Sequence, residues 1–229
     1  MTPSATLSEP RSLLGHHPVG ASTGYLSAER GDWERLVAQA CDVSPFAAEL
    51  AALSESELPS LVAHLAAEEW LPFHYLSVHA PSKARRLPEA ELVALLAGLP
   101  CDVDAIVVHP DVVEDPVNYR RLGRRLVLEN MDTRKPAGRT ADELEAAFAL
   151  LPEAGLCLDV AHAGDVDASL AEGHRILDRF ACRLRHVHVS SLDAAGHHVP
   201  LRAADEAAFA PLLRRCRDVP WILEAPLAP

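Results

Sequence analysis

The sequence predicts a closed (β/α)8 TIM barrel of eight parallel strands, and three observations lead there. Short β-branched or apolar runs alternate with longer Ala/Leu/Glu/Arg segments about eight times along the 229 residues. Six of the apolar runs end in an acid or a histidine: "YLSVHAP", "AIVVHPD", "RLVLENMD", "GLCLDVAHAG", "LRHVHVSS" and "WILEAP". The chain is 49% hydrophobic, enough to bury one full core, so a single domain over 1–229 is expected, with residues 1–18 as an N-terminal extension. A doubly wound sheet is the structural alternative.

The His16-His17 doublet precedes the first strand and falls in a loop. Strands are expected near 19–24, 46–52, 75–79, 105–109, 126–130, 156–160, 184–190 and 221–225. Helical patterns fill the intervals near 29–40, 55–68, 88–97, 116–123, 140–151, 166–179 and 203–216. Two carry start signals: "SESE" at 54–57 offers a Ser cap with Glu57 three residues on, and "TADE" at 140–143 does the same. Since the sequence ends at Pro229, four residues after the last strand, the eighth helix is missing or truncated. The outer faces of strands eight and one then need a cover, from "SLLGHHPVG" or from a second copy in a homodimer.

A net charge of −12 repels polyanions and argues against nucleic acid as the partner. No apolar run approaches the roughly 18–20 residues of a membrane span, and no signal-peptide pattern opens the chain, so a soluble, cytoplasmic protein is expected. Cys41, Cys101, Cys157, Cys182 and Cys216 lie far apart without a C-x-x-C pair, which suits reduced, mostly buried thiols rather than disulfides or a thiolate metal site.

In a barrel the carboxyl ends of the strands converge on one mouth. His79, His109, Glu129, Asp159, His188 and Glu224 all fall at such ends. Ionised carboxylates there are costly to desolvate unless a cation compensates them, and a divalent metal does so directly. Salt bridges and caps at the rim, or hydrogen-bonded core histidines, are the plainer alternatives. Carboxylate and imidazole donors favour Zn, Mn, Co, Fe or Mg, as one or two ions. His186 precedes His188 by two on the same strand face, roughly 6–7 Å deeper, and is expected to be a packed, hydrogen-bonded residue too distant to share a metal. His197 should point away from the mouth. Arg134, Lys135 and Arg139 follow Glu129 in a Pro/Gly-containing loop, where they could hold a phosphate or carboxylate or simply be solvated. Lys83, Arg85 and Arg86 follow His79 in the same fashion, whereas Arg120, Arg121, Arg124 and Arg125 should face outward.

The ordered set "SVHAP", "VVHPD", "LENMD", "LDVAH", "HVHVSS" and "ILEAP" resembles the xylose isomerase-like TIM-barrel superfamily, with sugar isomerases, ketose 3-epimerases and endonuclease IV, over roughly residues 19–226. The resemblance implies that Glu129, Asp159, His188 and Glu224 are the four ligands of the epimerase-type metal, with Glu129 and Glu224 as the catalytic acid/base pair. It matches His79 and His109, with a bridging Glu129, to a second metal of the endonuclease IV type. His162 and His198 match ligands of a third metal or, for His162, a substrate contact. The Asp expected two residues before His198 is Gly196, so a complete third site would need Asp193 to reach in.

Three functions follow as expectations. The first is a divalent-metal-dependent isomerase or epimerase acting on a small sugar or sugar phosphate by proton transfer through an enediolate. "SSLDAAG" lacks the Arg that ketose 3-epimerases place after their histidine ligand, so substrate binding must differ from theirs. The second is a di- or trinuclear metal phosphoester hydrolase on a small substrate, since "APSKARR" lacks the apolar and aromatic residues that endonuclease IV inserts into DNA; multinuclear iron oxygenases are a remoter relative. The third is a binding barrel without catalysis.

Overall fold

The computed structural model describes residues 14–26, 30–68, 70–83 and 85–227. The strands are β1 (Val19–Ser22), β2 (Ala47–Ala51), β3 (Tyr75–His79), β4 (Ala105–Val108), β5 (Leu126–Glu129), β6 (Gly155–Asp159), β7 (Leu184–Val189), a hairpin of β8 (Ser191–Leu192) with β9 (His198–Val199), and β10 (Trp221–Leu223). All but the hairpin are parallel neighbours, and β1 pairs with both β2 and β10, which closes an eight-stranded (β/α)8 barrel. Every barrel strand starts within one residue of its expected position, while β1 and β10 end two residues early; the hairpin was not expected. Closure at β1 needs Gly20, because a Cβ there would sit 2.4 Å from the Ala47 carbonyl oxygen.

Helices α1 (Trp33–Val43), α2 (Leu58–Ala67), α3 (Glu89–Ala97), α4 (Pro116–Tyr119), α5 (Ala141–Leu150), α6 (Val160–Val166), α7 (Ala171–Phe180) and α8 (Ala203–Leu213) occupy the connections. Helix α1 starts at Trp33, where Asp32 accepts the Arg35 N–H at 3.1 Å, later than the expected residue 29, which lies outside the described residues. "TADE" acts as read: Thr140 Oγ1 accepts the Glu143 N–H at 3.2 Å. "SESE" does not. Helix α2 begins at Leu58 with Pro59 in its first turn, and Glu57 instead turns back to accept the Leu53 N–H at 3.1 Å. The single helix expected over 166–179 is two, since α6 springs directly from Asp159 and the chain breaks before α7 at Leu170, in a left-handed conformation (φ 59°). Residues 120–125 form a 3-10 stretch; Arg120, Arg121 and Arg124 are exposed as expected, while Arg125 donates to the carbonyls of Ala97, Leu99 and Pro100.

Side chains along the strands separate with period two. Ile106, Val108, Leu126, Leu128, Leu156 and Leu158 pack outward into the large core beneath the helices. Ala105, Val107, Val127 and Cys157 form a separate small cluster inside the barrel. Continuing the inward series by two positions gives His109, Glu129 and Asp159, so one alternation both fills the barrel and delivers its polar tip.

Among the described residues no helix follows β10. The N-terminal segment partly covers this seam: the His17 ring stacks on Trp221 with centroids 3.8 Å apart, and His17 Nε2 pairs with the Val219 carbonyl at 2.8 Å. His17 is therefore packed rather than loose. Beside it lies a hollow of about 380 Å³ lined by Leu14, Val19, Leu223 and Leu227 among others. All five cysteines are free, but only Cys157 and Cys216 are buried, with Cys101 and Cys182 exposed, so the thiols are less buried than expected. No helix among the described residues is long and apolar enough to cross a membrane.

Candidate metal centre

Four strands bring Glu129, Asp159, His188 and Glu224 together, each offering a donor atom, with all four donors within 4.8 Å of one another. His188 Nδ1 lies 3.2 Å from Glu129 Oε1 and 3.4 Å from Glu224 Oε1. Asp159 divides its work. Its Oδ1 caps α6 by accepting the His162 N–H at 2.7 Å, while its Oδ2 is buried without a hydrogen bond. Glu224 Oε2 is likewise buried and unbonded. The nearest imidazole nitrogens to these two oxygens are already engaged: His162 Nδ1, at 3.6 Å from Asp159 Oδ2, donates to the Asn130 carbonyl, and His198 Nδ1, at 3.3 Å from Glu224 Oε2, pairs with Ser190.

Burial drives the carboxyls up, and the neighbours decide which of them stays ionised. For Glu129 the imidazoles of His188 and His109 outweigh desolvation and hold it well below the usual carboxylate range. For Glu224 desolvation, reinforced by Asp159 and Glu129, pushes it well above that range. Desolvation lowers His188, but Cys157, Glu224, Glu49 and Glu129 around it more than reverse the effect and raise it strongly. Three crowded carboxyl groups, with Asp159 Oδ2 and Glu224 Oε2 left only a proton kept on Glu224 to share between them, and an imidazole pushed toward its charged form are the signature of a place that wants positive charge. The donor set thus fits a divalent cation.

Glu129 also faces a second group. Its Oε2 lies 3.2 Å from His79 Nε2 and 3.1 Å from His109 Nε2, which are themselves 3.2 Å apart. His79 Nδ1 donates to the Ala80 carbonyl at 2.9 Å, which turns Nε2 toward this cluster. A third cluster is Asp159, His162 and His198. Asp193 does not reach it, because its carboxylate is spent on the hairpin turn, accepting the N–H groups of Ala195 and His197 and facing an exposed His197 ring.

Arg134, Lys135 and Arg139, the cations expected to bind an anion after Glu129, each have an acidic partner. Arg134 is held by Asp132 (Nε to Oδ2, 3.1 Å), Lys135 by Asp111 (3.1 Å) and Arg139 by Glu143 (2.7 Å). Only Lys135 also approaches a candidate ligand, 3.5 Å from His109 Nδ1. Arg85 is tied to Glu89 and the Val112 carbonyl.

Three interior residues were overlooked in the sequence. Glu49 of β2 is fully buried, with Oε2 3.0 Å from His188 Nε2. Burial raises its pKa, yet His188, with His79 and His186, brings it down to about 2. Its signal was present in "AAELA", a carboxylate inside an apolar strand. Asn130 clamps two strands where the ladder ends, its Nδ2 donating to the Asp159 carbonyl at 2.9 Å and its Oδ1 accepting the Asp159 N–H at 2.8 Å. Cys157 lies with His186 and His188, their donor atoms within 4.8 Å, closer than strand spacing alone suggested for His186. His186 is nonetheless a hydrogen-bonded core residue, paired with the Tyr75 hydroxyl at 2.8 Å, and burial lowers its pKa to about 3.

No protein-family model and no curated protein matches the chain. Solved structures do. A D-psicose 3-epimerase crystallised with D-fructose is 17% identical, with a TM-score of 0.51 over 93% of this chain and 86% of its own. A xylose isomerase domain-containing protein from Salmonella typhimurium is 14% identical, with a TM-score of 0.54 over 90% of this chain and 87% of its own. A xylose isomerase-like TIM barrel protein from Mycobacterium smegmatis, in complex with magnesium, is 15% identical, with a TM-score of 0.55 over 92% and 90%. Together with the barrel topology, these likenesses show that the chain shares the TIM-barrel fold of these proteins.

Proposed function

We propose that the protein is a divalent-metal-dependent isomerase or epimerase of a small sugar. The observation that carries this reading is the mouth of Glu129, Asp159, His188 and Glu224, with Asp159 Oδ2 and Glu224 Oε2 buried and unbonded. These four residues would hold the ion, whose chemistry is to draw charge from two neighbouring substrate oxygens and so acidify the hydrogen on carbon. Glu129 and Glu224 flank the His188 nitrogen, and their surroundings displace their pKa values in opposite directions. In this reading they form the acid/base pair, one taking the proton from carbon and the other returning one to the enediolate. The pairing of Arg134, Lys135 and Arg139 with acids supports an uncharged sugar over a sugar phosphate. The D-psicose 3-epimerase among the similar structures points the same way.

The test is solvent exchange. Metal-loaded protein, incubated with a panel of ketoses and aldoses in heavy water, should place deuterium on a carbon next to a carbonyl of one of them, read by NMR, and Glu129→Gln should abolish the exchange. Exchange unaffected by Glu129→Gln overturns the reading.

A second reading is favoured by one observation, the two-sided Glu129, whose Oε1 faces His188 and whose Oε2 faces His79 and His109. A bridging carboxylate between two ions suits hydrolysis of a small phosphoester. Two ions per chain by elemental analysis, with phosphate release from a phosphomonoester and no carbon exchange, would select it.

A further inference from the structure

Glu49 enters the barrel interior from β2, and its carboxylate is surrounded by donors from three other strands. Ser22 Oγ of β1 donates to Oε1 at 3.2 Å, Ser77 Oγ of β3 donates to Oε2 at 3.1 Å, and His188 Nε2 of β7 lies 3.0 Å from Oε2. His186 Nε2, which has no hydrogen-bond partner, stands 3.7 Å from the same oxygen. The groups that act on this charge are the imidazoles of His188, His79 and His186, and among the described residues no arginine or lysine pairs with it.

A fully buried carboxylate whose counter-charge is an imidazole, with no arginine or lysine beside it among the described residues, still costs desolvation energy and is a weak stabilising device. The opposite nitrogen of the same ring explains its presence. His188 Nδ1 faces Glu129 Oε1 and Glu224 Oε1, so the imidazole stands between Glu49 on one side and the candidate metal centre on the other. A ring that gives its Nε2–H to a carboxylate presents its Nδ1 lone pair, made more basic, in a fixed direction.

We propose that Glu49 is a positioning residue for the metal centre: it accepts the Nε2–H of His188 and fixes the ring with Nδ1 turned toward Glu129, Asp159 and Glu224. The inference rests on the metal-centre reading above and adds a residue outside the ligand set. Ser22 and Ser77 hold the carboxylate in turn, so the direction of one ligand is set jointly by β1, β2, β3 and β7.

Calorimetric titration of metal-free protein with manganese ion tests it. Glu49→Gln, which keeps the shape but offers one acceptor oxygen in place of two, should weaken manganese binding about 10- to 100-fold. In a His188→Ala background the same change should alter the dissociation constant less than about two-fold, because an effect routed through the ring disappears with the ring. A merely structural Glu49 would lower the melting temperature of the metal-free protein and leave the dissociation constant alone, and that result overturns the proposal. A second measurement needs no variant. In zinc-loaded wild-type protein, 15N NMR of the His188 ring should show a protonated Nε2 and a metal-bound Nδ1, and the reverse assignment overturns the proposal. Manganese binding by Glu49→Gln with wild-type affinity defeats the role of Glu49 alone, whereas no binding by the wild-type protein defeats the metal-centre reading with it.

Discussion

Asp159 and His162 are joined by a 2.7 Å bond from the His162 N–H to Asp159 Oδ1, so the last residue of β6 is also the cap of α6. The second oxygen of the same carboxylate is buried and unbonded at the candidate metal centre. One side chain therefore serves a helix with one atom and the site with the other, and the two services can be separated.

Asparagine caps helices as well as aspartate does, so Asp159→Asn should leave the metal-free protein at least as stable, one of three crowded carboxyl groups having been replaced by a neutral amide. What it should lose is the response to ions. A ligand that binds only the folded state adds about 2.7 kcal/mol at roughly a hundred times its dissociation constant. Differential scanning calorimetry with and without manganese should show a rise in melting temperature for the wild type that EDTA reverses, and little or none for Asp159→Asn. Asp159→Ala should cost about 1 kcal/mol more than Asn through the lost cap. An equal manganese response in wild type and Asp159→Asn would remove Asp159 from the ligand set.

Gly20→Ala should destabilise the barrel at its closure. The added methyl would meet the Ala47 carbonyl oxygen at 2.4 Å and carbon at 2.6 Å, both backbone atoms, so β1 and β2 must part for it to fit. A loss of about 1–3 kcal/mol in chemical denaturation is expected, the usual cost of overpacking. An unchanged midpoint would mean that β1 can shift freely.

Glu89 fastens α3 to the segment after β4, accepting the N–H groups of Glu114 and Asp115, both at 2.8 Å, and the Asn118 amide at 3.1 Å. Burial raises its pKa, but these bonds and Arg85 outweigh it, leaving the pKa below the ordinary 4.5. A depressed carboxyl stabilises the fold fully above the unfolded value and loses that contribution as pH falls through the folded one. Wild-type protein should exceed Glu89→Gln in stability by about 1–3 kcal/mol at neutral pH, with the gap narrowing as pH drops below 4.5. Thermal unfolding across pH would show a constant gap if the carboxylate charge plays no part.

The legible part of this molecule was its strand ends. In "LCLD" or "LVLE" a lone charge after an unbroken apolar run announces both the strand and its carboxyl-end tip, and the barrel assembles those tips. The obscure part was whatever depends on a partner far away in sequence. Glu49 stands out in "AAELA" as a carboxylate within an apolar strand, but what it serves shows only when β7 brings His188 to 3.0 Å from it, 139 positions later. Local pairing was obscure too: Arg134 reads as a loop cation that holds an anion or is solvated, yet Asp132, only two residues earlier, engages it. Helix α6 was missed because its first turn is written in the same letters as the site, "DVAH". Those residues were read for their chemistry, and their capping role was overlooked.

The amide of Asn130, which both gives to and takes from the backbone of Asp159, adds one more rung to the sheet just where the strands would begin to diverge. Since Glu129 precedes it and Asp159 answers it, the gap between these two carboxylates is inherited from strand spacing. A cradle of inherited width neither shrinks nor swells to suit its occupant. If the proposed centre takes an ion, selection by radius would reside in the rigidity of the scaffold, and loosening residue 130 would broaden the range of ions it accepts.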